Sequence, residues 1–191
     1  MMQVSFHPFP ILETARLYLR QVHDNDAAAI FALRSNRNVM QFLDRPMADS
    51  IADAEHLVKK IKDSLERNEG ITWGICSIAD PHLVGTIGFW QLTREHFRAE
   101  LGYLLHPNHQ GKGLMQEAIE AALNYGFHVM QLHSVEANVN PLNNASIRLL
   151  ERNNFIREAW FRENYYYNGK FLDTYVYSLL KWKYKTDSLA H

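Results

Sequence analysis

"HPNHQGKGLMQEA", residues His106–Ala118, sets two glycines around a lysine between a strand-like run and a helix-like one. The first N–H groups of a helix have no partner within it, and the helix dipole adds partial positive charge there. Glycines let a backbone come close to an anion, and successive amides form a concavity that holds one. The same glycines also suit a plain strand-to-helix turn that needs their φ freedom. Two named phosphate motifs do not fit. A P-loop needs Ser or Thr after its Gly-Lys, but Gly113 and Leu114 follow Lys112; a dinucleotide fingerprint needs a third glycine where Gln116 stands.

The flanks read clearly. On the far side, Gly113 to Met130 has helical periodicity. Leu114, Ala118 and Ala122 form one apolar row, Met115, Ile119, Leu123 and Phe127 the next. On the near side, "ITWGICSI" (71–78), "LVGTIGFWQL" (83–92) and Phe97 to Leu105 are short and rich in β-branched and aromatic residues, as in a meander of three strands. Further back, "ARLYLRQV" (15–22) alternates as a strand, and two helices follow, Asp26 to Ser35 and Ser50 to Asn68. Asp24 or Asn25 suits the cap of the first helix, and Gly70 ends the second. Beyond the glycine turn come a strand, "HSVEANVN" (133–140), and a helix, Asn144 to Arg152. Two strand-like runs then flank Asn168-Gly169, a strong hairpin signal because both turn residues must adopt positive φ.

Composition narrows the class of protein. With 191 residues and no repeat, linker or low-complexity tract, the chain reads as a single domain, 1–191. Hydrophobic residues at 47% and charged residues at 21% fit a folded chain rather than a disordered one. A net charge of −1 argues against a nucleic-acid partner. Cys76 stands alone, so neither an internal disulfide nor a cysteine zinc site is available. His106 and His109 are spaced H-x-x-H but lack carboxylate or Cys support, so no metal is expected. No signal peptide is evident, and the longest purely apolar run, Ala27 to Leu33, is too short to span a bilayer. A soluble, cytoplasmic protein is the expectation.

A second constellation joins the first. "NVNPLNNASIRLLERNNF" (138–155) links a strand end to a short helix through an Asn-rich turn, with Asn143 or Asn144 able to cap and Ser146 in the first turn. Together the two stretches resemble the GNAT superfamily of acyl-CoA-dependent N-acyltransferases, in particular the branch of bacterial ribosomal-protein N-terminal (alanine/serine) acetyltransferases. The resemblance runs from "ILETARLYLRQV" to "YVYSLLKW". The family's pyrophosphate motif (Gln or Arg, two residues, Gly, one residue, Gly or Ala) matches Gln110, Gly111-Lys112 and Gly113, with Met115 departing at its last position. Asn154 replaces the usual glycine before Phe155, and Asn tolerates the left-handed helix end that position needs.

The resemblance implies an α/β fold of mixed α+β character: a splayed, mixed central sheet of about seven strands, helices on both faces, and acetyl-CoA in the gap. It implies that Tyr103 or Leu104 offers an amide to the thioester carbonyl and that Leu105 bonds the pantetheine. Gln110 and the amides of Gly111, Lys112, Gly113, Leu114 and Met115 would serve the pyrophosphate, with Asn138 and Asn143 on the opposite side of the arm. No metal is implied. The partner would be an amine, either a protein N-terminus or a small molecule, taken up by a monomer or homodimer.

The chemistry sets its own demands. The attacking amine must be neutral, the developing oxyanion needs a donor, and the departing thiolate needs a proton. A peptide α-amine, with a pKa near ~7.7–8.0, needs less help than a lysine near ~10.4. Glu100 on the central strand is the first candidate base, Glu163 near the hairpin the second, and Ser146 the candidate acid; each also suits a plainly structural role. Tyr165 and Tyr167, with Tyr166 between them, offer apolar faces and hydroxyls to an extended peptide, or simply cover a sheet face. The leading expectation is acetylation of a protein N-terminus. A small-amine acetyltransferase and a non-catalytic acetyl-CoA-binding module are the alternatives.

Overall fold

The computed structural model describes Met2 and residues 4–184; the remaining ends of the expected 1–191 domain lie outside the described residues. The strands are β1 (Leu12–Glu13), β2 (Leu17–Gln21), β3 (Ile71–Ser77), β4 (Asp80–Thr93), β5 (Arg98–Leu105), β6 (Ser134–Val139), β7 (Ile156–Tyr167) and β8 (Lys170–Leu180). The helices are α1 (Ala27–Arg34), α2 (Arg37–Met40), α3 (Ile51–Glu66), α4 (Leu114–His128) and α5 (Asn144–Arg152). One mixed sheet holds all eight strands in the order β1-β2-β3-β4-β5-β6-β8-β7. The strand beyond the expected count is the two-residue β1 at one edge. The one-turn α2 also escapes a reading by periodicity, since four residues carry no period.

Strand alternation sorts the core into two faces. Trp73 and Ile75 join the cluster that includes Met115, Ile119 and Leu123 of α4 and Leu149 and Leu150 of α5. Cys76 turns the other way, to Ile30 and Leu33 of α1 and Ala54 and Val58 of α3. Trp73 anchors the larger cluster. It is fully buried, with edge contacts to Phe9, Phe89 and Tyr125, and its Nε1–H donates to the Pro10 carbonyl at 2.7 Å. The hairpin turn has the expected geometry, with Asn168 at φ 49° and Gly169 at φ 80°.

The position that matters most is the β5–β6 junction. The meander β3-β4-β5 is antiparallel, whereas β5 and β6 run parallel and pair only from Arg98–Glu100 to Ser134–Glu136. Beyond Glu100 the two strands part. Leu101 to Leu105 therefore has β4 on one side and an open edge on the other.

The N-terminus of α1 differs from the expected Asp24 or Asn25 cap. Asp26 occupies it, but without a capping bond. Its carboxylate instead accepts from both terminal nitrogens of Arg20, at 2.8 Å each, and from the His23 N–H at 2.8 Å. Burial raises the carboxyl pKa, but the Arg20 and His23 hydrogen bonds outweigh it and hold Asp26 below the ordinary value of 3.8. A depressed pKa gives stability that is present above the unfolded value and lost as pH falls through the folded one. Asp26→Ala leaves Arg20 unpaired and largely buried, which is expected to destabilise the fold by about 3 kcal/mol. Urea unfolding at pH 7 and at pH 3 checks both points: the deficit against the parent should shrink at the lower pH.

Candidate active site

The open edge can be assigned residue by residue. The His106 N–H donates to Val84 on β4, so the neighbouring pair Gly85–Leu105 is a non-hydrogen-bonded one. In a strand a residue's N–H and C=O point the same way, and the direction alternates. The backbone groups of Leu101, Tyr103 and Leu105 therefore face the gap, whereas those of Leu104 turn to β4. The Gln110 side-chain amide reaches the Leu105 carbonyl from the gap side at 2.9 Å. Of the two amides expected for the thioester, that of Tyr103 faces the gap and that of Leu104 faces β4.

Side chains alternate across the same strand. Glu100 pairs with Trp90 on β4 and with Glu136 on β6, at the point of divergence. It is half-buried, and burial pushes its carboxyl up, against the opposing pull of the Trp90 and Asn138 side chains. The Trp90 indole lies against Gly102, where a Cβ would collide with the ring. Asn138 donates to Glu136 at 3.2 Å, so two carboxylates and an amide flank the gap on this face.

Tyr103 projects to the other face, where it packs against the main core. Burial pushes its hydroxyl up to about 12, against the opposing pull of the Ser146 hydroxyl. It thus stays protonated at any working pH. Ser146 is held by the start of α5, where the Asn143 side chain caps the helix by accepting from the Ser146 N–H at 3.1 Å. Asn153 is buried at the other end of α5 and exchanges two amide hydrogen bonds with Gln116 of α4, at 2.9 and 3.0 Å. Asn154 takes the left-handed conformation, φ 63°, and Phe155 is buried behind it.

The glycine turn lies at the end of β5. Gly111 and Gly113 have φ 71° and 76°, and Gly113 is the N-cap of α4. A Cβ at Gly111 would meet nothing within 4 Å, and one at Gly113 only the Arg16 guanidinium, at 3.4 Å. Gly111 and Gly113 thus border open space at a helix N-terminus, a candidate cradle whose shape fits a diphosphate. Met115 itself is buried in the main core, so its side chain takes no part there.

The remaining candidates lie elsewhere. Glu163 is exposed in an irregular stretch of β7, its N–H bonded to Asp173 at 2.9 Å. Strands β6 and β8 separate it from β5, so the structure does not bring the two candidate bases together. Tyr165 donates its hydroxyl to the Asp44 carbonyl at 3.1 Å, and Asn140 bonds the Asp44 side chain at 3.3 Å. The segment between α2 and α3 is thereby tied to the ends of β6 and β7. Tyr167 sits half-buried at the hairpin end of β7. Among the described residues, no cluster of three or more His, Cys, Asp or Glu converges as metal ligands, and no helix is long and apolar enough to cross a membrane.

The sequence reading missed Arg16, Glu136 and the Gln116–Asn153 pair. The partners of Arg16 and of Gln116 lie far off along the chain, and Glu136 meets Glu100 and Arg98 only across the β5–β6 junction, so no local pattern marks these roles. Only strand alternation hinted at Glu136.

A splayed parallel junction with a helix-start cradle beside it defines an acyl-CoA-dependent N-acetyltransferase, and comparison supports this class. Residues 16–156 match the acetyltransferase (GNAT) domain, and the chain belongs to that family, whose members use acetyl-CoA. The uncharacterized N-acetyltransferase YoaA of Bacillus subtilis is 41% identical over 173 residues, covering 91% of this chain and 98% of the relative. The spermidine N(1)-acetyltransferase of Vibrio cholerae is 29% identical over 171 residues, covering 89% and 96%. A crystal structure of spermidine N-acetyltransferase from the same organism, in complex with CoA and spermine, matches with a TM-score of 0.79 and 27% identity over 90% of this chain and 99% of that one. The ribosomal protein uS5-alanine N-acetyltransferase of Escherichia coli is 29% identical over 174 residues, covering 85% and 86%. The expected ribosomal-protein branch is therefore no nearer than the spermidine enzyme.

Proposed function

We propose that this N-acetyltransferase acts on a primary amine of a small molecule, of the polyamine kind, rather than on a protein N-terminus. The observation that carries this reading is the similarity to the Vibrio cholerae spermidine enzyme, which spans 96% of that relative against 86% of the uS5-alanine enzyme. Two features of the site support it. Glu100 stands beside Glu136 at the gap, and with Arg98 3.7 Å from Glu136 offsetting one carboxylate, the charge that remains favours a cationic acceptor. The hairpin tyrosine expected to border a peptide groove, Tyr165, spends its hydroxyl on Asp44.

When bound, acetyl-CoA supplies the acetyl group as a thioester. The residues of this chain do the rest. Glu100 takes the proton that the ammonium must lose before it can attack, and burial, by raising its carboxyl, makes it the stronger proton acceptor. The Tyr103 N–H on the open edge donates to the developing oxyanion. The second proton, shed by the nitrogen as the amide forms, passes through the Ser146 hydroxyl, beside the protonated Tyr103, to the departing thiolate, so Ser146 ends as it began. Gly111 to Met115 hold the pyrophosphate, and Asn143 keeps Ser146 in place.

An acceptor panel tests the reading. Spermidine-like amines should give a kcat/KM at least about tenfold above peptides beginning with Ala, Ser or Met, measured by thiol release. Acetylation confined to peptide α-amines would return the acceptor to the N-terminal class.

A further inference from the structure

Arg16, between β1 and β2, lies against the glycine turn almost a hundred residues away. Its Nε donates to Glu117 Oε2 at 2.7 Å, and its Nη1 donates to the Lys112 carbonyl at 2.9 Å. Its Nη2 lies 2.7 Å from the same Glu117 oxygen and 3.4 Å from where a Gly113 Cβ would stand. Glu117 in turn accepts from the Arg16 N–H at 2.9 Å and from the Thr14 hydroxyl. The guanidinium is therefore fixed on three sides yet half exposed, at 51%.

Two consequences follow. Bonding the Lys112 carbonyl fixes the peptide plane between Lys112 and Gly113, and with it the direction of the Gly113 amide. A guanidinium has five N–H donors in a fixed fork, and the contacts from Nε and Nη2 to Glu117 and from Nη1 to Lys112 use three. The two that remain, one on each terminal nitrogen, have no acceptor among the described residues. They stand over the N-cap glycine, where a diphosphate would approach. Glu117, in the first turn of α4, suits the helix dipole but would repel a phosphate; Arg16 offsets that charge where it lies.

We propose that Arg16 is a cofactor-binding residue, one that shapes the glycine turn through Lys112 and Glu117 and offers its free N–H groups to the pyrophosphate of acetyl-CoA. This rests on the reading of the turn as the pyrophosphate cradle. Neither the family motif nor the turn itself contains Arg16.

Calorimetric titration with coenzyme A tests the proposal in Arg16→Ala, Arg16→Lys and Gly113→Val, each first checked by its melting curve. Losing one charge-assisted contact should weaken coenzyme A binding about tenfold in Arg16→Ala, with Arg16→Lys between it and the parent. The ratio of kcat/KM for acetyl-CoA to that for S-acetylpantetheine, which lacks the pyrophosphate, should fall by a similar factor. A merely structural role would weaken both cosubstrates together, leave the ratio unmoved and overturn the proposal. Unaltered coenzyme A affinity in Arg16→Ala with lost binding in Gly113→Val would overturn it and leave the cradle standing. Unaltered affinity in both would overturn the cradle and the proposal together.

Discussion

Glu100→Gln is expected to lower kcat by about a hundredfold, the lower end of what a positioned general base contributes. The substitution keeps the shape of the side chain and removes its basicity, so the contacts with Trp90 and Asn138 need not collapse. The pH dependence is the sharper signature. Burial raises the Glu100 carboxyl above its ordinary 4.5, so in the parent kcat climbs with pH as that group ionises. The variant should lose this acid limb and keep only the rise from the amine itself. The KM for acetyl-CoA should move little, because the side chain faces away from α4 and α5. A full pH–rate profile of both proteins decides it. An acid limb that persists in Glu100→Gln and vanishes in Glu163→Gln would pass the role to the second candidate, despite its exposed position on β7.

Gly113→Val should weaken coenzyme A binding by about two orders of magnitude while the chain still folds. The position has φ 76°, a region that a β-branched residue enters only with strain of about 1–3 kcal/mol. Relieving that strain moves the first amides of α4, and the added side chain occupies the approach to them. It also meets Arg16, whose nearest nitrogen is 3.4 Å from the Cβ position. A hundredfold loss corresponds to about 2.8 kcal/mol, within reach of a displaced amide cluster. Titration with coenzyme A measures the loss, and a cooperative melting curve separates it from unfolding. Affinity within threefold of the parent in the folded variant would remove the turn from the cofactor site.

The sequence alone determined the ladder of elements, because that information is local. The period of α4, the alternation of β3, β4 and β5, and the positive φ of Asn168-Gly169 each follow from residues within a turn or two. The caps were less legible: the sequence leaves α5 between Asn143 and Asn144 and starts α4 at Gly113, and the structure makes Asn143 and Gly113 the N-caps. With the family resemblance, these elements pointed to the mixed sheet of the fold and marked the glycine turn as the candidate cradle. They could not choose between Tyr103 and Leu104, because strand direction relative to a neighbour is set by the His106–Val84 bond and not by residue type. Nor could they find Arg16, whose meaning lies in bonds to Lys112 and Glu117 about a hundred residues on. Asp26 marks the same boundary from the other side: the sequence offers Asp24 or Asn25 as the cap of α1, yet Asp26 takes that position and Arg20 claims its carboxylate. Local propensity fixes which segment forms. Which side chain answers which charge is decided only when distant strands bring them within hydrogen-bonding range.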